Sequence, residues 1–253
     1  MSFEFLAPDA AVAGRFTPLA RSPMEADARA AGARFEVRDG WNVAVGYSSV
    51  EQEREAARRV AAWADVSHLG KLELHAGPDD LAAIVGQASG GASLELGRGT
   101  RAAGAWWLPL TGGRALIVCE SGAVGALRER LTDAASASSG LVSVVDATTK
   151  YGALTILGPQ AREVFARFTA LDLRAAVTPV RGLRPGSIAR TPGLLLREAD
   201  ERYLVLFGWA LGHYLWTVVA DAAGHLGGSP AGVDALEPIP GDTAPVTEEA
   251  GRA

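Results

Sequence analysis

The chain has 253 residues, 48% of them apolar and 21% charged, and its 24 Lys and Arg against 29 Asp and Glu leave a net charge of −5. One large or two small globular domains can bury a core at this size, and the acidic balance excludes a generally basic nucleic-acid binder, which must neutralise phosphates. A single cysteine, Cys119, excludes a disulfide framework and a cysteine-rich zinc site.

No apolar run approaches the ~20 residues of a membrane span. The opening Met1-Ser2-Phe3-Glu4-Phe5 has no basic stretch ahead of an apolar one. A soluble, cytoplasmic protein is therefore expected. In chain order, residues 24–33 and 49–62 are helical in composition, and the turn signal Asp39-Gly40-Trp41-Asn42 lies between them. Residues 1–68 are expected to form a helical arm packed on the core. Leu69 to His75 alternate apolar and polar, the pattern of a strand with one buried face. Gly77-Pro78-Asp79-Asp80 follows, with Asp79 or Asp80 available as a cap for a helix carrying Leu81, Ile84, Val85 and Ala88 on one side.

Residues 104–110 and 114–119 read as strands joined by the hairpin signal Thr111-Gly112-Gly113. A helix with Val124, Leu127 and Leu131 on one face comes next, then the β-branched run Leu141 to Val145. The order β-α-β-β-α-β is that of the split βαβ unit of ferredoxin-like folds. It partly repeats. Tyr151 to Leu157 is a strand, Gly158-Pro159 opens a helix with Ala161, Val164, Phe165 and Phe168, and strands are expected around Leu194–Leu196 and Tyr203–Phe207. The last helix has the stripe Leu211, Tyr214, Leu215, Val218, Val219, Ala222. The expected class is α+β, with two ferredoxin-like β-α-β-β-α units and antiparallel sheets at 69–146 and 151–236. The stretch 237–253, with Pro238, Pro240 and Pro245 and little apolar content, is expected to be a disordered tail.

The chemistry visible in single residues is sparse. His68, His75, His213 and His225 show no metal-type spacing, so no metal site is expected. Asp65-Val66-Ser67-His68 gathers three catalytic residue types, but triad members come from separated segments. A helix-to-strand junction in which Asp65 or Ser67 bonds nearby backbone donors is the plainer reading. Neither phosphate-cradling glycine loop is present. Trp106 and Trp107 sit in one strand, so alternation sends one ring to the core and leaves the other able to face a groove and stack on a flat heterocycle. Cys119 reads as a small buried apolar group.

Several longer strings resemble the glycine-cleavage T-protein (aminomethyltransferase) folate-binding family. They are Ala31-Gly32-Ala33-Arg34-Phe35, Gly40-Trp41, Tyr47-Ser48-Ser49, and above all Ala64-Asp65-Val66-Ser67-His68-Leu69-Gly70-Lys71. Val145-Asp146-Ala147-Thr148, Leu157 to Arg162, and Gly232-Val233-Asp234-Ala235-Leu236 extend the likeness over roughly residues 20–236. The resemblance implies tetrahydrofolate as cofactor and a place in one-carbon metabolism. The family's chemistry uses a carboxylate in a strand that here reads Gly104-Ala105-Trp106-Trp107-Leu108-Pro109, with no acid. Its pterin-holding glutamate closes a string that here reads Arg190-Thr191-Pro192-Gly193-Leu194-Leu195-Leu196, with Glu198 nearby at an offset. The family's C-terminal barrel is not found.

Within the same superfamily, Ser187 to Thr191 and Gly212-His213-Tyr214-Leu215-Trp216 with Ala220-Asp221-Ala222 are similar to the second half of the sarcosine oxidase gamma subunit. That resemblance implies an auxiliary gamma-like subunit with larger flavin- and folate-binding partners, and no catalytic residue is named for this chain. The alternatives are a free-standing folate-dependent aminomethyl or methyl transferase with a rearranged site, and a non-catalytic interaction module. For a folate, the residues expected at the pocket are Tyr47 and Arg190 as its frame, Leu69 packing on the pterin, and Trp107 stacking.

Overall fold

The computed structural model describes residues 19–239, so the expectation of a disordered tail falls, beyond Ile239, outside the described residues. The strands are β1 (Ala20–Arg21), β2 (Arg34–Arg38), β3 (Trp41–Gly46), β4 (Ala62–Asp65), β5 (Gly70–His75), β6 (Thr100–Ala102), β7 (Ala105–Thr111), β8 (Arg114–Cys119), β9 (Ser143–Asp146), β10 (Tyr151–Leu157), β11 (Leu183–Ile188), β12 (Thr191–Ala199), β13 (Arg202–Gly208) and β14 (Ser229–Pro230). The helices are α1 (Glu25–Ala30), α2 (Val50–Arg59), α3 (Pro78–Ser89), α4 (Val124–Ala135), α5 (Ala161–Ala166) and α6 (Gly212–Gly224).

A five-stranded antiparallel sheet has the order β6-β7-β8-β5-β9, its chain running β5-α3-β6-β7-β8-α4-β9. A six-stranded sheet has the order β11-β12-β13-β10-β4-β14, antiparallel except for the pair β14 and β4. The two sheets meet face to face. Period-two alternation sorts each strand: Leu204 and Leu206 of β13, Leu194 and Leu196 of β12, Trp106 and Leu108 of β7, and Leu116 and Val118 of β8 share one apolar layer between the sheets. The opposite faces carry the helices. Tyr203, Val205 and Phe207 pack with Phe165 of α5 and Leu215 and Val219 of α6. Leu72, Trp107 and Ile117 pack with Ile84 of α3 and Leu127 of α4.

The N-terminal stretch differs from the expected helical arm. It contributes α1 and α2, but β1, β2 and β3 form a small sheet of order β1-β3-β2, and β4 enters the six-stranded sheet beside β10. Strand β3 is almost wholly buried: Trp41, Val43 and Val45 are covered on one face, and Ala44 on the other packs in the helical-layer core. The turn Asp39-Gly40 has positive φ at both residues (49° and 76°), the geometry that matches the twist of a two-residue hairpin. Helix α3 is not capped by Asp79 or Asp80: Gly77 is its N-cap and Pro78 its first residue, so both acids lie in the first turn, where the helix dipole favours them. Strands β1, β2, β3, β4, β6, β11 and β14 add to the expected set.

A buried carboxylate ties the early and late parts of the chain together. Glu53 of α2 accepts hydrogen bonds from the backbone N–H groups of Tyr47 and Ser48, both at 2.6 Å, and of Gly232 at 2.7 Å. Gly232 lies so close to β3 that a Cβ there would sit 2.1 Å from the Val45 carbonyl, so only glycine permits the approach.

Glu73 of β5 is a second node. Its Oε1 accepts from Lys150 Nζ (2.6 Å), the Tyr151 hydroxyl (2.6 Å) and Arg114 Nη2 (2.9 Å), and its Oε2 lies 3.2 Å from His75 Nε2. Burial acts to raise its pKa, but the donors of Lys150, Tyr151, Arg114 and His75 outweigh it and hold the carboxyl down at about 2. The carboxylate form thus stabilises the fold fully above its ordinary 4.5, and that contribution is lost as pH falls from 4.5 toward 2. Glu73→Gln should cost about 3 kcal/mol at neutral pH by stranding its cations. In urea melts across this acid window, the difference between wild type and variant should shrink as pH falls; a constant difference would contradict the assignment.

Candidate functional site

At one end of the apolar layer the two sheets part to leave a cavity of about 330 Å³. The β4–β5 junction supplies Val66, His68 and Leu69, β7 and β8 supply Trp106, Val118 and Cys119, and β12 and β13 supply Glu198 and Arg202. The turn Arg38-Asp39 and the segment Leu236–Ile239 close its rim. Strand alternation explains the arrangement: Trp106 and Glu198 each lie on the face that their strand turns toward the other sheet.

The two residues then meet across the gap. Trp106 Nε1 donates to Glu198 Oε1 at 2.9 Å, and Arg202 Nε donates to Glu198 Oε2 at 3.0 Å. Glu198 is buried, and burial raises its pKa against the opposing pull of Arg202 and Trp106. The Arg101 guanidinium lies 5.6 Å from the centre of the Trp106 ring, within cation–π range. Arg202 also donates to the Glu237 carbonyl at 2.6 Å, and Arg58 pairs with the Glu237 side chain, which fixes the start of the C-terminal segment over the site.

The Asp65-Val66-Ser67-His68 string is a strand-to-strand junction, not a helix-to-strand one. Asp65 Oδ1 accepts from the Ser67 N–H at 3.0 Å, and the Ser67 hydroxyl accepts from the Ala153 N–H at 3.0 Å. Both side chains are therefore spent on backbone groups, and no triad forms. Lys71 is wholly buried and donates Nζ to the Ser67 carbonyl at 2.6 Å; desolvation pushes its pKa down to about 7. Cys119 is buried beside the cavity and its thiol is pushed up to about 11, chiefly by desolvation, which keeps it protonated. Among the described residues no group of three or more His, Cys, Asp or Glu is placed to hold a metal ion, and no helix is long and apolar enough to cross a membrane.

Of the residues expected at the pocket, Leu69 lines the cavity and three lie elsewhere. Trp107 is fully buried among the helices of the five-stranded sheet and donates Nε1 to the Ala102 carbonyl at 3.0 Å. The alternation holds, but it is Trp106 that faces the gap. The hairpin register, with Trp106 opposite Val118 and Trp107 opposite Ile117, decides which ring goes where. Tyr47 packs with the helical layer of the six-stranded sheet, its hydroxyl buried. Arg190 stands exposed at the tip of the β11–β12 turn, with φ of 61°.

Glu198 and Arg202 are the site residues that family spacing did not single out. Counting by twos along β12 from the inward Leu194 and Leu196 does reach Glu198.

His68 offers a test of this environment. Burial, helped by Lys71 and Arg38 and opposed by Asp39, pushes its pKa down to about 4 from 6.5. The unfolded chain therefore takes up a proton that the folded one refuses, and stability is lost as pH falls from 6.5 to 4. In thermal melts across that window, His68→Gln should lose less melting temperature than wild type. Equal losses would contradict the burial of a neutral imidazole here.

No family model matches the chain. The aminomethyltransferase of Moorella thermoacetica (strain ATCC 39073 / JCM 9320) is 26% identical over 235 residues, covering 87% of this chain and 63% of the relative. The chain thus spans less than two thirds of the length of the curated aminomethyltransferases it matches. Among solved structures, the glycine cleavage system aminomethyltransferase T from Bartonella henselae superposes with a TM-score of 0.71 at 18% identity, covering 86% of this chain and 60% of that one. One chain of the heterotetrameric sarcosine oxidase from Corynebacterium sp. U-96 superposes with a TM-score of 0.63 at 20% identity, covering 86% of this chain and 98% of that one. Sequence likeness and layered fold agree: over most of its length the chain is similar to aminomethyltransferases of the T-protein type, and it shares their fold.

Proposed function

We propose that the chain binds a reduced folate, tetrahydrofolate or a derivative, in the cavity between the two sheets, and that it acts as an auxiliary gamma-like subunit of a sarcosine-oxidase-type complex. The observation that carries the reading is the buried Glu198 carboxylate facing that cavity. A pterin edge presents N–H donors that need a carboxylate acceptor. Glu198 spends one hydrogen bond per oxygen on Trp106 and Arg202 and keeps acceptor lone pairs for a ligand. Its two donors also fix the carboxylate plane, so the ring would be oriented on entry. Trp106 and Leu69 give the flat apolar walls that a heterocycle packs against, and the volume suits a bound ring system.

A reduced folate supplies a nitrogen nucleophile that accepts a one-carbon unit. Transfer in this family uses an acid from the strand that is β7 here, and β7 reads Ala105-Trp106-Trp107-Leu108-Pro109-Leu110-Thr111 with none. A positioned acid–base group is typically worth ~10²–10⁴ in rate. The residues present therefore favour binding over transfer. The structural likeness to a chain of a heterotetrameric oxidase supports a role inside a larger assembly.

Titration calorimetry with tetrahydrofolate tests the binding. Wild type should give heat, and Glu198→Gln should bind about ten- to hundredfold more weakly, the worth of a hydrogen bond to a charged group. No heat at millimolar ligand would remove the folate from the reading. Affinity purification from the native source tests the assembly: a flavin-containing partner, seen by its visible absorbance, is expected. Elution as a lone monomer would count against the subunit role.

A further inference from the structure

A second cavity, of about 760 Å³, opens at the opposite end of the inter-sheet layer and shares no lining residue with the first. The strands that present Trp106, Glu198 and Arg202 to the first cavity present Leu110, Leu194 and Leu206 to this one. Its floor is the apolar layer itself, with Leu116 and Leu183 beside those leucines. The volume lies in the ~300–1,000 Å³ range of small-molecule sites, and an apolar floor with a few convergent polar groups is their usual build.

The polar groups at this end are cationic. Arg114 reaches Glu73 through Nη2, yet its Nε–H is buried without an acceptor among the described residues. The carboxylate of Glu73 is shared between Arg114 and Lys150, so two fixed cations answer to one anion. Arg184, on the same rim, donates only to uncharged acceptors: the Thr178 hydroxyl at 3.2 Å and the Val177 carbonyl. Among the described residues no carboxylate lies within ion-pairing distance of it. A buried donor left open and an excess of positive charge over an apolar floor together specify the partner that would satisfy them.

We infer that this second cavity binds a small amphipathic anion, a carboxylate carried on an apolar chain, with its head at Arg114 and Arg184 and its body on the leucine floor. This site stands independently of the folate reading, because no residue is common to the two cavities. The charged head answers the unpaired guanidinium donors, and the apolar body removes the leucine floor from water. A neutral alcohol of the same length satisfies only the second requirement.

Decanoate and decanol are suitable probes, compared by calorimetry on the full chain. Wild type should bind decanoate with Kd below about 1 mM, and decanol at least about tenfold more weakly. Arg184→Gln should weaken decanoate by about tenfold and leave decanol unchanged. Pro192→Trp, a substitution at an exposed position of the cavity wall, should block both. Glu198→Gln should leave decanoate binding unchanged, which separates this site from the first cavity. Equal affinity for decanoate and decanol on wild type would overturn the inference without recourse to any variant. So would undiminished decanoate binding in Pro192→Trp, weakened decanoate binding in Glu198→Gln, or no decanoate binding at millimolar ligand.

Discussion

Two β-sheets stacked face to face must bury a shared apolar layer, and any charged group drawn into that layer has to find its partners there. Glu73 and Glu198 enter it, from different sheets and at different ends. Glu73, from the five-stranded sheet, meets Lys150, Tyr151 and Arg114, and its end of the layer is knitted by side chains from both sheets. Glu198, from the six-stranded sheet, meets Trp106 from the other and Arg202 from its own. These bonds set how closely the sheets approach at either end. Between them the leucines fill the gap, and beyond them the sheets part into cavities.

The difference between the two nodes gives the molecule its polarity. Glu73 has four donors and behaves as a strong acid, a group whose hydrogen-bonding capacity is largely used. Glu198 has two donors and its carboxyl is raised by burial, so it retains acceptor capacity toward the cavity. The proposed folate binding rests on that remaining capacity. The absence of an acid on β7 limits what can follow once a ligand is held.

Much of this was legible in the sequence where periodicity was strong and local. The stripe of α6, the alternation of β5 and the strand Tyr151–Leu157 read directly, because burial on one face leaves a regular signature. Strands β2 and β3 were harder: they form a small sheet whose β3 is covered by the late turn around Gly232, far away in sequence. Strand β4, with Ala62-Trp63-Ala64-Asp65, was hidden in a stretch of helical composition because its sheet partners, β10 and β14, come much later in the chain. At the candidate site, the Asp65–Lys71 string contributes Val66, His68 and Leu69 to the cavity wall. The Trp106–Trp107 pair narrowed the choice to one of two rings, and only the register of the β7–β8 hairpin assigned Trp106 to the gap. Glu198 is reached by parity along β12 only once Leu194 and Leu196 are seen to face inward, whereas the family's motif offset leaves it unassigned.

The pairing of β4 with β14, and the hydrogen bond from Gly232 to Glu53, carry a consequence for the order of assembly. The five-stranded sheet is built from residues 70–146, a continuous stretch whose strand pairings are all internal to it. The six-stranded sheet cannot be completed until Ser229 reaches Ala62 and Gly232 reaches a carboxylate 179 positions earlier. Loop closure over such separations is slow relative to local pairing. As the chain leaves the ribosome, β4 therefore waits as an unpaired edge, first for β10 and then for β14, while the five-stranded sheet can already close. Until β12 and β13 dock, the apolar face of the five-stranded sheet lies bare to water, the interval in which a holding chaperone has the most to cover.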